Sequence, residues 1–231
     1  MKKLLTLMMV VMVSLSSFAQ KDVTKFLGIP VDGTVAAMKQ KLIAKGFSPM
    51  AYGIDNQLKG TFNGEDVILS IVENNGKVWR IALVDINTRG ETDIRIRYNN
   101  LCLQFLKNKK YINLQSEDQY LIPDNEDISY EMTVKNKRYE AVFLQMQNDS
   151  ATMAEAVQKA ICQKYTQAQI ANPTEEQRAD MIKIATEANF AAMEATVSNR
   201  PVWFMIEDNY GKYSILMYYD NRYNQANGED L

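Results

Sequence analysis

The first amphipathic pattern of the chain predicts a short helix. Val35, Met38 and Leu42 recur at helical spacing, so they would form one apolar face. The preceding segment Asp32-Gly33-Thr34 supplies side-chain oxygens for the first free N–H groups of a helix. Gly46 is typical of the residue that ends a helix in a left-handed conformation.

The pattern then changes to the alternation of β-strands. It predicts three strands near 58–62, 66–73 and 77–86. The dipeptides Asn63-Gly64 and Asn75-Gly76 separate them and favour tight hairpin turns. The third strand is apolar on both faces, which predicts a sheet that is covered on both sides there.

A longer apolar stripe predicts a second helix at about 92–107. A polar segment, 113–127, follows and is interpreted as a loop. Two further strands are predicted near 128–134 and 138–147, joined through Asn136-Lys137.

Residues of about 150–198 predict an inserted helical hairpin rich in alanine. Asn172-Pro173 separates its two helices, with Asn172 as the expected N-cap and Pro173 at the first helical position. Met181, Ile184 and Ala188 belong to the apolar stripe of the second helix.

The chain closes with a predicted hairpin, 201–207 and 212–220, around Asn209-Tyr210-Gly211. This hairpin is similar to the earlier one around Asn75-Gly76, which favours a duplication over coincidence. We therefore predict an α+β fold of tandem helix-plus-antiparallel-sheet modules. The first module, 20–90, has one helix and three strands, and the second, 91–231, carries the inserted hairpin.

The N-terminus has the pattern of a secretory signal peptide. Lys2 and Lys3 precede a mostly apolar run, and Ser17-Phe18-Ala19 fits the small residues before a cleavage site. The apolar run is about half of the roughly 20 residues that a spanning helix needs, so cleavage is favoured over a membrane anchor. No cysteine follows Ala19, so we expect an unlipidated, soluble protein in the periplasm or outside the cell, without a membrane span after cleavage.

Charge argues against nucleic-acid binding. The chain has 26 Lys and Arg against 28 Asp and Glu, and loss of Lys2 and Lys3 leaves 24 against 28, a net charge of −4. Nucleic-acid binding depends on clustered positive charge. The two cysteines, Cys102 and Cys162, either form one disulfide or serve as small apolar residues on their helices.

The absence of histidine removes several chemistries at once. Ser-His-Asp and Cys-His catalysis need it, and it is the commonest metal ligand. The chain also has no nucleotide-binding glycine motif, so we expect no cofactor, no metal and no enzymatic activity. The carboxylates Glu207, Asp208 and Asp220 leave one alternative, a hydrolase that acts on an envelope glycan or peptide.

A resemblance adds to these predictions. The tandem helix-then-hairpin pattern, residues 24–47 and the C-terminal segment 218–231 resemble uncharacterised exported proteins of gut-associated Gram-negative bacteria. The pattern is more remotely similar to the β-lactamase-inhibitor-like and outer-membrane-assembly small-lipoprotein folds, whose known members bind other proteins. The resemblance therefore implies a protein-binding role, although the chain lacks the lipid-bearing cysteine of the assembly lipoproteins.

The expected function is the non-enzymatic binding of another envelope or secreted protein. Tyr210, Tyr213, Tyr218 and Tyr223 are the candidate contact residues, since tyrosine often anchors protein surfaces. Trp203 and Tyr219 are expected in the core because of their spacing. A second alternative is a small-ligand binder, with its site between the two modules.

Overall fold

A computed structural model describes residues 23–50, 54–113, 120–146, 150–226 and 228 of the chain. The predicted signal peptide, 1–19, lies outside these residues. No helix in the described part of the chain has the length and apolar content to cross a membrane.

The described residues form ten strands and six α-helices, followed by a 3₁₀-helix, Arg222–Asn224. The strands are β1 (Lys25–Phe26), β2 (Ile29–Pro30), β3 (Ser48–Pro49), β4 (Gln57–Phe62), β5 (Glu65–Asn74), β6 (Lys77–Asp85), β7 (Tyr111–Asn113), β8 (Glu140–Gln145), β9 (Pro201–Asn209) and β10 (Lys212–Asp220). The helices are α1 (Val35–Ile43), α2 (Glu91–Lys107), α3 (Ile128–Thr133), α4 (Ser150–Lys164), α5 (Gln167–Ala171) and α6 (Glu175–Val197).

Eight strands form one continuous antiparallel sheet in the order β3-β4-β5-β6-β10-β9-β8-β7. Helices beside antiparallel strands confirm the predicted α+β class. Each half contributes four strands of this sheet and one of the two helices α1 and α2. In each half the last strand lies at the centre and the first strand lies at the edge, so the strand order read outward from the β6–β10 pair is the same on both sides. Leu216 lies opposite Val84 in this central pair, and Asp220 lies opposite Arg80.

The core lies between one face of this sheet and the two helices α1 and α2. Met38 and Leu42 of α1, and Tyr98 and Leu101 of α2, are almost completely buried against the strands. The helices and the inward side chains of both halves belong to one apolar cluster. Burial of that much apolar area supplies most of the driving force for folding.

The opposite face of the sheet, here called the outer face, is partly exposed. Ala82 and Val84 lie on it, whereas Ile81 and Leu83 point to the helices and are buried. The prediction of a sheet covered on both sides was therefore wrong. Apolar residues on both faces of a strand show that neither face is strongly polar. They do not show that a helix packs on each face.

Segment 128–134 was predicted as a strand and is instead the helix α3. Ile128 is buried and Met132, one helical turn later, packs against the core, which is helical spacing. Asp127 caps the helix, since its carboxylate accepts a hydrogen bond of 2.8 Å from the Tyr130 N–H. The strand predicted near 138–147 is present as β8.

The helical insertion lies between β8 and β9 and is here called the arm, residues 150–197. Its long helices α4 and α6 pack against each other. The N-cap of the second long helix is Thr174, not the predicted Asn172, and Pro173 therefore precedes the helix. Thr174 and Gln177 form a capping box, in which each side chain accepts a hydrogen bond from the backbone N–H of the other residue. An N-cap at Asn172 would lack this reciprocal pair of hydrogen bonds.

Both cysteines are free in the structure. Cys102 is buried in α2 beside Tyr98, whereas Cys162 is exposed on the arm. Burial raises the pKa of the Cys102 thiol to about 12, so this residue is a protonated core side chain.

Candidate functional site

The outer face carries two apolar rows that cross the middle of the sheet. In the first row, successive cross-strand neighbours are Val142, Trp203, Tyr218 and Ala82. In the second row they are Met205, Leu216, Val84 and Ile68. All eight side chains are partly exposed, so the central strands present an apolar surface away from α1 and α2.

An arginine surrounded by aromatic rings lies beside the first row, two residues along β6 from Ala82. The guanidinium carbon of Arg80 lies 4.2 Å from the centroid of the Trp79 ring, 4.5 Å from that of Tyr218 and 5.4 Å from that of Trp203. The rings of Trp203 and Tyr218 stack on each other, with centroids 4.3 Å apart. We call Trp79, Arg80, Trp203, Tyr218 and Asp220 the arginine–aromatic cluster.

Asp220 fixes the orientation of this cluster. Its carboxylate accepts hydrogen bonds from Nε and NH2 of Arg80, at 2.7 and 2.8 Å, and from the indole N–H of Trp203 at 3.0 Å. The side chain of Asp220 is 6% exposed and that of Arg80 is 21% exposed. A paired charge at such a site stabilises one geometry, because either charge alone would be costly to bury.

A β-bulge in β6 brings Trp79 into the cluster. Val72 lies opposite Arg80 whereas Glu73 lies opposite Val78, so Trp79 is the extra residue. The bulge lets both Val78 and Ile81 reach the core, and it leaves Trp79 and Arg80 side by side. Burial raises the pKa of the Tyr218 phenol, although nearby Arg80 lowers it, so this ring is neutral.

The structure does not bring the four predicted tyrosines together. Tyr218 belongs to the cluster, and Tyr223 lies in the 3₁₀-helix. Tyr210 is fully exposed at the tip of the β9–β10 hairpin, with a positive φ of 54°. Tyr213 is 1% exposed on the helix side of the sheet, so it packs in the core and is not available to a partner.

Sequence reasoning missed most of the cluster. Trp203 was expected in the core and is instead half-buried on the outer face. Tyr219 is in the core as expected. Trp203 lies between Val202 and Phe204 in the strand, so its side chain points to the opposite face from theirs. Both faces of this strand are apolar, and the residue pattern alone does not show which face the helices cover.

The carboxylates nominated for hydrolysis have structural contacts. Asp220 is bound to Arg80 and Trp203, and the Asp208 carboxylate accepts a hydrogen bond of 2.8 Å from the Gly211 N–H in the hairpin turn. Glu207 is exposed on the outer face. These contacts do not form the cleft with two facing acids that the hydrolase alternative requires.

A second feature of interest is a cavity of about 740 Å³ between the two halves of the molecule. Tyr219 of β10, Phe62 of β4 and Phe105 of α2 all line it. None of its described lining residues carries a carboxylate. In the described part of the chain, no three His, Cys, Asp or Glu residues are grouped so that they could hold a metal ion.

Comparison with known proteins gave no match, since no family model, no curated protein and no solved structure matches the chain.

Proposed function

We propose that this chain is an exported protein that binds another protein through the outer face of its sheet, with the arginine–aromatic cluster at the centre of the contact. The observation that carries the proposal is the partly exposed stack of Trp203 and Tyr218 around Arg80 on a face that neither α1 nor α2 covers. Tryptophan, tyrosine and arginine are the residues that most often dominate the free energy of protein–protein binding.

The rigidity of the cluster favours binding. Three hydrogen bonds to Asp220 and the ring stack hold Arg80 and Trp203 in place in the free protein. A side chain that is already ordered loses little conformational entropy when a partner binds, and such a loss otherwise costs about 0.5–1.5 kcal/mol for each side chain.

The surroundings of the cluster also fit a protein partner. The apolar row of Met205, Leu216 and Val84 extends the surface beside the rings. The Arg80–Asp220 pair adds no net charge, so the centre of the face is close to neutral. A neutral apolar centre with anchored aromatic side chains matches the buried core of a protein interface better than it matches a polyanion.

The N-terminal sequence supports a site of action outside the cytoplasm. The basic, apolar and small-residue regions of 1–19 support export, and the absence of a cysteine after Ala19 supports an unlipidated product. The partner we propose is therefore a protein of the cell envelope or of the medium. Mass spectrometry of the exported protein would test this step, with an N-terminus at Gln20 as the expected result.

Site-specific photo-crosslinking in cells of the source organism tests the interface. A photoreactive phenylalanine analogue at Met205 reports on the outer face, and the same analogue at Ile182, which is 63% exposed on the arm, is the matched control. We expect a discrete crosslinked product from Met205 and none of that size from Ile182. Trp203→Ala in the Met205 background should weaken binding by about thirty-fold or more and remove the product.

Two results would contradict this proposal. One is the same product from both analogue positions, and the other is a Met205 product that persists in the Trp203→Ala variant. Circular dichroism of the purified variant separates loss of the interface from loss of the fold. If Trp203→Ala is unfolded, Tyr218→Ala replaces it in the same comparison.

A further inference from the structure

The two rows of the outer face extend across six strands, from β8 to β4. Read from β8, the full first row contains Val142, Trp203, Tyr218, Ala82, Ser70 and Gln57. Read in the same direction, the full second row contains Glu140, Met205, Leu216, Val84, Ile68 and Lys59. The two largest side chains of the first row lie in one half of the sheet, and the two smallest lie in the other half.

We propose that the partner of the outer face is a second copy of this chain, packed face to face about a two-fold axis that runs along the strands between β6 and β10. This inference rests on the proposed function, because it names the protein that the outer face binds. Two-fold dimers are the commonest protein oligomers. Their interface uses the same patch of both copies, so the patch must be complementary to itself.

The residues nearest the proposed axis are complementary. The axis places each outer-face residue of β10 opposite its own cross-strand neighbour on β6, in the second copy. Tyr218 therefore faces Ala82 of the second copy, and Leu216 faces Val84 of the second copy. A large ring against a methyl group lets two sheets approach to their usual spacing of about 10 Å.

The Arg80–Asp220 pair favours this direction of the axis. These residues are also cross-strand neighbours, so Asp220 of one copy faces Arg80 of the other, and opposite charges meet. A two-fold axis across the strands, between the two rows, would instead place Asp220 over Ser214 and Arg80 over Ile86. Each charge would then face an uncharged residue. Complementary charges fix the register of an interface, so the axis along the strands is favoured.

The rows also match farther from the axis. Trp203 faces Ser70 of the second copy, so the largest side chain of the face again meets a small one. Met205 faces Ile68 of the second copy, and both side chains are apolar and partly exposed in the single chain. The two-fold axis makes each of these contacts occur twice, so a modest face gains from every matched pair.

The edge of the proposed interface is polar. Glu140 faces Lys59 of the second copy, and both side chains are exposed in the single chain. Arg138 pairs with Glu140 at 3.1 Å, but this pair is exposed and leaves the carboxylate accessible. Glu207 and Asp66 face each other one row farther along the strands, where both are exposed and salt screens their repulsion. A polar edge around an apolar centre is the usual anatomy of a protein interface.

The size of the outer face suits a small dimer interface. Six strands about 4.8 Å apart span about 29 Å, and six residues at about 3.4 Å each span about 20 Å. Two such faces give about 1,200 Å² in total, slightly above the roughly 1,000 Å² that a specific interface needs. We therefore expect a reversible dimer with a dissociation constant in the micromolar range.

Sedimentation velocity of the purified exported chain tests the dimer, and we expect a particle of twice the chain mass. Met205→Lys and Ile68→Asp are the informative variants, because these residues lie three strands apart in one chain and meet only across the proposed interface. Each variant alone should weaken the dimer by about a hundred-fold or more, since it buries an unpaired charge twice. An equimolar mixture should restore the dimer, because the heterodimer pairs the two introduced charges and keeps one wild-type contact.

Ile182→Lys is the matched control, since it adds the same charge to the arm and should leave the dimer intact. Circular dichroism establishes that each variant is folded. If Met205→Lys or Ile68→Asp is unfolded, the exposed pair Glu140→Lys and Lys59→Glu replaces them. Each of these places like charges opposite each other and should weaken the dimer several-fold, and their mixture should restore it.

Three results would overturn the inference: a monomer throughout the micromolar range, a dimer that Met205→Lys and Ile68→Asp leave intact, or a mixture of the two variants that stays monomeric. The Met205 photo-crosslink separates these failures from failure of the proposed function. A second copy as partner gives a product of twice the chain mass, in which residue 205 is joined to β5. A product with a different protein would overturn this inference and support the proposed function, whereas no product at all would overturn both.

Discussion

Glycine is required at position 60 because of side-chain packing and not because of its backbone conformation. It lies in β4 with ordinary strand geometry, but a Cβ at this position would lie 2.7 Å from Cδ1 and 3.0 Å from Cε1 of Phe47. Phe47 is 4% exposed and packs near Phe26, so its ring has little room to move. We therefore expect Gly60→Ala to lower the free energy of unfolding by about 1–3 kcal/mol.

Urea denaturation followed by circular dichroism measures this change. Thr61→Ser is the matched control, because Thr61 is the next residue of β4, its side chain is exposed, and serine keeps the hydroxyl that donates to Asp66. A surface change of this kind should remain within about 0.5 kcal/mol of wild type. Equal stability of the two variants would show that the Phe47 ring adjusts freely.

For individual residues, the sequence predicted the turns well and the candidate site poorly. Asn63 and Asn75 have positive φ in the hairpins that their Asn-Gly dipeptides predicted. The cluster around Arg80 was not predicted, since it depends on the Trp79 bulge and on the approach of residue 220. Neither contact leaves a local signal in the sequence.

Among the elements, strong periodicity decided which predictions were confirmed. The apolar stripe at 92–107 became α2, and the two Asn-Gly hairpins became β4, β5 and β6. The segment that became α3 is short. It has one buried apolar residue, Ile128, and one partly buried apolar residue, Met132, and their spacing fits either a strand or a helix. Only its position against the core distinguishes the two.

The arm is an element that the rest of the fold does not need. Val197 is the single buried side chain in the described parts of α4 and α6. The strands on either side already approach each other, because Leu144 lies opposite Pro201 and the Gln145 N–H donates to the Arg200 carbonyl at 2.9 Å. Replacement of 147–198 by Asn-Gly should therefore close β8 and β9 as an ordinary hairpin.

We expect this shortened protein to fold, with a thermal midpoint within about 5 °C of wild type and a weaker helical circular dichroism signal. It should also keep the Met205 crosslink, because the outer face is unchanged. The shortened protein retains the Met205 position and lacks the Ile182 position. Loss of the Met205 product in the shortened protein would therefore assign binding to the arm and not to the outer face.

The whole molecule depends on contacts between its two halves, which local patterns do not specify. β6 and β10 are separated by more than a hundred residues, and their pairing turns two groups of strands into one sheet. The α+β class was predictable from the order of periodic segments. The continuity of the sheet was not, because an antiparallel edge can pair with any other suitable edge.

The Arg80–Asp220 pair tests this connection, because each half contributes one charge. Asp220→Asn leaves the Arg80 guanidinium without its counter-charge and should cost about 2–3 kcal/mol of unfolding free energy. The double variant Arg80→Met with Asp220→Asn should recover part of that loss, since no unpaired charge remains. A double-mutant cycle should give a coupling of about 1–2 kcal/mol, measured by urea denaturation.

Tryptophan fluorescence gives this cycle a local readout. Both tryptophans of the chain belong to the cluster, and Trp203 donates its indole N–H to Asp220. Loss of that carboxylate should shift the emission of the folded protein, whereas Glu140→Gln, at an exposed pair with Arg138, should not. A coupling near zero with unchanged emission would mean that strand pairing and the shared apolar core join the halves without a contribution from this ion pair. A measurable coupling would mean that the proposed contact site also stabilises the junction, so that substitutions there affect binding and stability together.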